Sequence, residues 1–202
     1  MKITRYFQSC LLVEENGVRI LFDPSGHEAV DSDKFGRLDA VVYTHEHGDH
    51  FDADLAAKLA GQGTAVYANA STAAQISTKP NVVSDGQEFA VGSVKIKAIE
   101  LPHCLMWHGE PGPQNTGYLV NDRLFNPGDG VQPRGVTAEL LALPITGPDI
   151  SLKDAIDFAH QLESKTVIPV HYDYIGTKPE VFAHVAKGLE VKIIANGETL
   201  EI

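Results

Sequence analysis

The chain has 202 residues, is 43% hydrophobic and carries a formal net charge of −11. That is enough length and apolar content for a full core in one domain spanning residues 1–202, without disulfides. The acidic balance, with no block of Lys or Arg, argues against a nucleic-acid partner, and no apolar run approaches the roughly 18 residues of a membrane span.

Leu11–Val13 and Val18–Phe22 flank Glu15-Asn16-Gly17, and Asn-Gly between apolar runs signals a hairpin. Asp23-Pro24-Ser25-Gly26 then reads as a loop. Val41–Thr44 is expected as a buried strand. Asp52 to Gly61 is expected as a helix with Asp52 at the N-cap and Gly61 just beyond the end. A short strand at Thr64–Tyr67 and a short helix at Ser71–Ser77 follow. Gln87–Val91 and Val94–Leu101 are joined through Gly92-Ser93, and the Lys95-Ile96-Lys97-Ala98-Ile99 alternation implies one wet face.

Pro102–Gln114 is a long polar loop. Thr116–Val120 and Arg123–Phe125 pair around Asn121-Asp122, and Leu140–Leu143 is a short apolar strand. Ser151–Ser164 has helical spacing of Leu152, Ala155, Ile156, Ala159 and Leu162, with Ser151 at the N-cap. Strand Thr166–Val170, helix Glu180–Lys187, and strands Val191–Ile194 and Thr199–Ile202 close the chain. No internal repeat of fixed period is visible. Hairpins alternating with helices in both halves favour an α/β architecture of two face-to-face sheets with helices outside.

Thr44-His45-Glu46-His47-Gly48-Asp49-His50 carries the most chemistry. Three imidazoles and a carboxylate lie within six positions, directly after the run Asp39–Tyr43. Imidazole and carboxylate suit a borderline divalent cation such as zinc. The HxHxDH spacing is too tight for one ion to gather all four, and suits two ions side by side. That pattern points to hydrolysis by a metal-activated water. Three more residues of ligand type each stand just past a predicted strand: His103, Asp129 within Asn126-Pro127-Gly128-Asp129-Gly130, and His171 within Ile168–Asp173. Strand-end loops on a rigid scaffold are where such sites are built, and Gly128 and Gly130 leave room for backbone near a ligand.

These residues, in this order, resemble the metallo-β-lactamase superfamily of hydrolases. The likeness runs over essentially the whole chain, from the Asp23-Pro24 loop to the final His. Ile168-Pro169-Val170-His171 and Leu143–Gly147 further resemble the compact group that includes the L-ascorbate-6-phosphate lactonase-like proteins. The resemblance implies a four-layer αββα sandwich of two mixed β-sheets. It implies that His45, His47 and His103 hold one ion, that Asp49, His50 and His171 hold a second, and that Asp129 and a hydroxide bridge them. Asp49 would orient the nucleophile and carry a proton to the leaving group. Zinc fits best, with manganese or iron as alternatives. Two features depart from the family: Gly130 stands where a Thr or Ser is usual, and Cys104, Met106, Trp107 and His108 crowd the segment after His103.

Other residues have blander readings. Asp23 is expected to brace the histidine loop rather than bind metal. Cys104 is expected as a small buried hydrophobe. His27 and His108 are loop residues within reach of substrate, Trp107 and Tyr172 either line a pocket or pack, and His160 and His184 are surface helix residues. Arg134, Lys153 and Lys178 are candidate anion partners. With Cys10 and Cys104 forming no framework and no signal-peptide apolar core at the N-terminus, a cytoplasmic setting is expected. The expected activity is metal-dependent hydrolysis of a small ester, lactone or phosphoester. The alternatives are a nuclease of the same fold and a non-catalytic metal-binding protein. A homo-oligomer is left open.

Overall fold

Both halves of the chain build a sheet in the same way. The computed structural model describes residues 1–174 and 177–202. In the first sheet, β1 (Lys2–Arg5), β2 (Leu11–Glu15) and β3 (Val18–Phe22) are antiparallel. Then β4 (Ala40–Tyr43), β5 (Ala65–Ala68) and β6 (Asn81–Val82) run parallel to β3. In the second, β7 (Glu88–Val91), β8 (Val94–Leu101), β9 (Asn115–Val120) and β10 (Leu124–Asn126) are antiparallel. Then β11 (Leu140–Pro144), β12 (Thr166–Val170) and β13 (Glu190–Val191) follow in parallel. The last strand, β14 (Thr199–Glu201), returns to pair with β1.

Helices occupy matching crossovers. In the first half α2 (Ala53–Gly61) links β4 to β5, and α3 (Ala70–Ala73) links β5 to β6. In the second, α4 (Leu152–Gln161) and α5 (Pro179–Val185) link β11 to β12 and β12 to β13. A one-turn helix, α1 (Gly26–Ala29), follows β3. The match extends to residues: Leu21-Phe22-Asp23-Pro24 ends β3, and Leu124-Phe125-Asn126-Pro127 ends β10. This repeat is one of pairing order, with loops of unequal length, so no fixed period marks it in the sequence.

Period-two patterning makes the layers. Ile3, Val13, Ile20, Phe22, Val42, Ile96, Ala98, Tyr118, Val120 and Ala142 face one another between the sheets. The outer face of the first sheet packs Leu12, Leu21, Val41 and Tyr43 on Leu55 and Leu59 of α2. The outer face of the second packs Leu141, Leu143 and Val167 on Ala155, Phe158 and Phe182 of α4 and α5. The result is the expected α/β sandwich of two mixed sheets flanked by helices. On β8, Lys95 and Lys97 are exposed while Ile96 and Ala98 are buried, as the alternation predicts.

Several boundaries differ from expectation, and four elements show why. Gly61 is the last residue of α2, and Gly63, at φ +90°, takes the left-handed position beyond the cap that only glycine adopts freely. The helix expected at Ser71–Ser77 is a single turn over Ala70–Ala73, started earlier because Asn69 caps the Thr72 amide. Pro179 opens α5 one residue early, and the helix stops at Val185. Of the strand expected at Val191–Ile194, only Val191 pairs, beside Glu190 on the short sheet edge. Among the described residues, no helix is long and apolar enough to cross a membrane.

The two sheets are also joined by polar contacts at the rim that carries the histidines. The fully buried Tyr118 hydroxyl on β9 donates to the Tyr43 carbonyl of β4 at 3.0 Å. Tyr118→Phe leaves that carbonyl without its side-chain partner and is expected to cost about 1–3 kcal/mol. Urea unfolding at neutral pH would show a lower midpoint at constant slope; an unchanged midpoint would mean water replaces the hydroxyl.

Candidate metal centre

The centre is assembled where strands of both sheets end. β4 is entirely buried and stops at Tyr43, so the chain turns at the rim with Thr44 and the histidines exposed to the other strand ends. The His47 carbonyl accepts from the His50 and Phe51 amides, both at 2.9 Å, and Asp52 caps α2 through the Leu55 amide at 2.7 Å. This tight turn points His45, His47 and His50 inward, while Glu46 turns away to Ser71 and Thr72. His103 follows β8 and is bridged to Gly130. Asp129 follows β10 and takes the Asn115 side-chain oxygen on its amide at 3.2 Å. His171 follows β12 with φ +62°, a left-handed conformation rare outside glycine.

All seven residues singled out in the sequence meet here, in two groups. Ligand-type atoms of His45, His47, His103 and Asp129 lie within 4.8 Å of one another, as do those of Asp49, His50 and His171. His45 Nε2 is 3.2 Å from His47 Nδ1 and 3.3 Å from His103 Nε2. His171 Nε2 is 3.1 Å from Asp49 Oδ2. Asp129 reaches both groups: Oδ1 is 3.4 Å from His50 Nε2, and Oδ2 is 3.6 Å from His103 Nε2 and 3.4 Å from His171 Nε2.

Hydrogen bonds behind the rings decide which nitrogen faces inward. His103 Nδ1 donates to the Cys104 carbonyl and His171 Nδ1 to the Thr146 carbonyl, each at 2.7 Å. His50 Nδ1 donates to Asp23 Oδ2 at 3.0 Å. Thr44 Oγ1 spends its one proton on Asp23 Oδ2 at 2.8 Å, so its 3.0 Å contact with His45 Nδ1 must be donated by the ring. With the rings neutral, as cation binding requires, four Nε2 lone pairs therefore point into the centre. Asp23 is the brace expected of it, accepting also from the Thr44 amide at 2.8 Å.

Burial and neighbouring charge set the protonation. Burial, then His50, pushes His45 well below the ordinary imidazole value. Burial, then His103, lowers His47. Burial also disfavours charge on His50 and His171, but carboxylates overcome it: Asp129 and Asp23 hold His50 well above the ordinary value, and Asp129 and Asp49 raise His171. Burial works against the Asp49 and Asp129 carboxylates too, yet the surrounding imidazoles, His171 foremost, hold both below the usual range.

The profile of the Beta-lactamase superfamily domain matches residues 2–171 of the chain. The chain belongs to the metallo-β-lactamase superfamily. Protein Rv0786c of Mycobacterium tuberculosis is 30% identical over 85% of this chain and 84% of its own. The UPF0173 metal-dependent hydrolase YtkL of Bacillus subtilis is 29% identical over the full length of both. Among solved structures, the metallo hydrolase Igni18 of Ignicoccus hospitalis superposes with a TM-score of 0.77 at 21% identity, over 100% of this chain and 98% of that one. The metallo-β-lactamase fold protein YhfI of Bacillus subtilis does so at 0.78 and 18%, over 100% and 98%. The protein is thus a metal-dependent hydrolase of this superfamily.

The residues of this superfamily hydrolase fit divalent cations. His45 Nε2 and His103 Nε2 face each other with no proton between them. His50 Nε2 and Asp129 Oδ1 are buried, face each other, and have no hydrogen-bond partner among the described residues. Lone pairs set against lone pairs and carboxylates repel as they stand, and attract once positive charge sits among them. The carboxylates that raise His50 and His171 express the same demand, which a proton meets once and a divalent cation meets more fully.

Of the remaining candidates, Cys104 is fully buried and its thiol is pushed up to about 12, by burial first and Asp129 second. Tyr172 packs under Arg5, 4.3 Å from the guanidinium carbon. His27 lies in α1 rather than a loop, because Ser25 and Glu28 form a capping box there. It bonds the Tyr174 hydroxyl. His108, His160 and His184 are exposed. Gly130 is explained by space: a Cβ would lie 2.7 Å from the Leu101 side chain and 2.9 Å from the Pro127 carbonyl. Gln8 and Tyr174, unmarked by any motif, join the surroundings, as does Thr146 of the Leu143–Gly147 stretch, for which no role at the site is expected from the sequence. Ligand spacing could not have revealed their tasks, since Thr146 acts through its backbone carbonyl, Gln8 through its backbone and a side-chain amide, and Tyr174 through its ring and hydroxyl.

Below about pH 4, the shifted groups of the metal-stripped protein act in one direction. Asp49 and Asp129 have folded values below the unfolded one of about 3.9, so the stability they contribute above that value is lost as pH falls through the folded ones. His45 and His47, also lowered, lose stability in the same sense from about pH 6.5 downward. His50 and His171 are raised and already charged in both states at that acidity, so they add no slope. Urea unfolding of chelator-treated protein from about pH 5 to about pH 3 is expected to show falling stability, with a flatter slope in Asp129→Asn; parallel slopes would contradict this.

Proposed function

We propose that this protein hydrolyses a small carboxylic ester or lactone with an apolar portion, as one domain and at a two-cation centre. His45, His47 and His103 would hold one ion, Asp49, His50 and His171 the other, with Asp129 between them. Zinc suits the imidazole-rich set best, and manganese or iron suits its oxygen-containing half. Bound divalent cations supply a water of lowered pKa and positive charge where an oxyanion develops.

One observation carries the substrate reading. A cavity of about 500 Å³ opens on His47, Asp49, His103, Asp129 and His171, and its remaining walls include Met106, Trp107, Pro148 and Tyr174. Among the described residues no Lys or Arg lines it. Arg134 pairs with Asp85, Lys153 pairs with Asp157, and Lys178 stands just before α5, none of them among the residues lining this cavity. A phosphoester would find no side-chain cation to grip its free oxygens, whereas a neutral acyl group would find apolar walls. A polynucleotide likewise finds no cationic track.

The chain's own groups divide the remaining work. Asp49, whose side chain is 27% exposed, is the carboxylate of the centre open enough to the cavity to exchange a proton with a leaving group. Asp129, at 3%, is enclosed and suited to holding cations in place. Trp107 and Met106 shield one wall and orient the acyl chain.

The test is turnover by chelator-stripped full chain reloaded with zinc, manganese or iron, on p-nitrophenyl esters of increasing chain length, γ-lactones and a bis-aryl phosphodiester. Ester or lactone turnover is expected only with metal. Asp129→Ala should lose both metal and activity. Trp107→Ala should lower kcat/KM for the longer acyl chains about tenfold while sparing acetate. Metal-dependent turnover of the phosphodiester alone would overturn the reading.

A further inference from the structure

Gln8 belongs to no motif, yet every polar atom it has is spent at the edge of the centre. It sits in the turn after β1 with φ +58°, the left-handed region that costs a side-chain-bearing residue. Its carbonyl accepts from the His171 amide at 3.0 Å. Its own amide donates to Asp173 Oδ2 at 2.6 Å, and the Asp173 amide donates back to Gln8 Oε1 at 3.0 Å. Asp173 is anchored in turn by Arg5, whose side chain is 1% exposed.

That reciprocal pair fixes the side-chain amide. Oε1 must face the Asp173 N–H, so Nε2 must face the other way, and there it donates to Asp49 Oδ2 at 3.2 Å. The same oxygen lies 3.1 Å from His171 Nε2. Gln8 thus holds both Asp49, through its side chain, and His171, through its backbone. The fold explains why a residue here can reach the centre. β1 holds in the first sheet the place of β8 in the second, and the turn after β8 delivers His103.

We infer that Gln8 is a positioning residue, aiming the Asp49 carboxylate at His50 and His171 and thereby setting the affinity of that half of the centre for its cation. The inference rests on the two-cation reading. Asp49 is the most exposed carboxylate of the cluster, so without the amide its side chain is free to swing toward the cavity. Partners of this kind are generally worth about 10–100-fold in metal affinity.

The experiment is zinc titration of the chelator-stripped full chain against a competing chromogenic chelator, for wild type, Gln8→Asn and Gln8→Gly. Asn is too short to span the gap, and Gly has no side chain. Both accept positive φ more readily than Gln, so the turn is kept. The expected result is a first equivalent bound within about twofold of wild type and a second bound about 10–100-fold more weakly in both variants. Thermal unfolding of the metal-free forms should stay unchanged or rise. A second equivalent bound as in wild type would overturn the inference, and so would equal weakening of both, which marks a general structural role. A wild-type chain that takes up fewer than two equivalents would instead remove the two-cation reading, and the role of Gln8 with it.

Discussion

A single buried carboxylate orders the centre. Asp23 has no exposed surface and accepts from the Thr44 amide, the Thr44 hydroxyl and His50 Nδ1. Because the hydroxyl proton is committed to Asp23, His45 must donate from Nδ1, and because His50 donates to Asp23 from Nδ1, the neutral form of that ring leaves Nε2 bare. One residue outside the cluster thus sets the tautomers of two rings inside it. The Thr44 carbonyl adds the link between layers, accepting from the Thr116 amide of β9 and the Asn69 side chain, each at 2.9 Å. Losing Asp23 would therefore disturb strand ends and ring orientation together, which is why a buried, unexposed acid is tolerated at that turn.

The two halves of the sandwich contribute unequal chemistry from equivalent places. β3 ends in Leu-Phe-Asp-Pro and β10 in Leu-Phe-Asn-Pro. In the first half the acid stands on the strand end and braces; in the second the amide stands there, and the acid has moved three residues on to Asp129, inside the centre. Asn69 follows β5 and donates to the Thr44 carbonyl; His171 follows β12 and donates to the Thr146 carbonyl. In each half-to-half pair the first-half residue supports, and the second-half segment presents a lone pair to the centre, from Asp129 or His171. Asp129 and His171 are backed in turn by Asn115 and by Thr146 and Gln8.

The sequence carried the fold wherever a side chain must satisfy its immediate neighbours. Asn16-Gly17, the alternation on β8 and the Ser151 cap each report a local constraint, and each stands where expected. The HxHxDH run and the three outlying residues were legible because ligand chemistry restricts residue type severely. Helix ends drifted because Gly61 and Gly63 both satisfy the signal, and only packing of Leu59 against the sheet chooses between them. The tasks of Gln8 and Thr146 were illegible for a different reason. An amide donor and a backbone carbonyl are available almost anywhere in a chain, and only the meeting of the turns after β1 and β11 with the turn after β12 gives them a task.

Strain identifies what that meeting is for. Gln8 and His171 both hold positive φ, and the His171 amide bonds the Gln8 carbonyl, so the two strained turns lean on each other. Glycine at either position would relieve the backbone, and elsewhere in this chain glycine does fill such positions, at Gly17, Gly63 and Gly92. The side chains are therefore what the strain retains: an imidazole aimed at Asp49 and Asp129, and an amide aimed at Asp49. A stability-optimised sequence would choose otherwise at both places. The cluster adds a second conflict, since its inward lone pairs repel until positive charge arrives. Folding energy from the three hydrophobic layers holds both conflicts in place, and cation binding, by resolving the second, returns part of it as metal affinity.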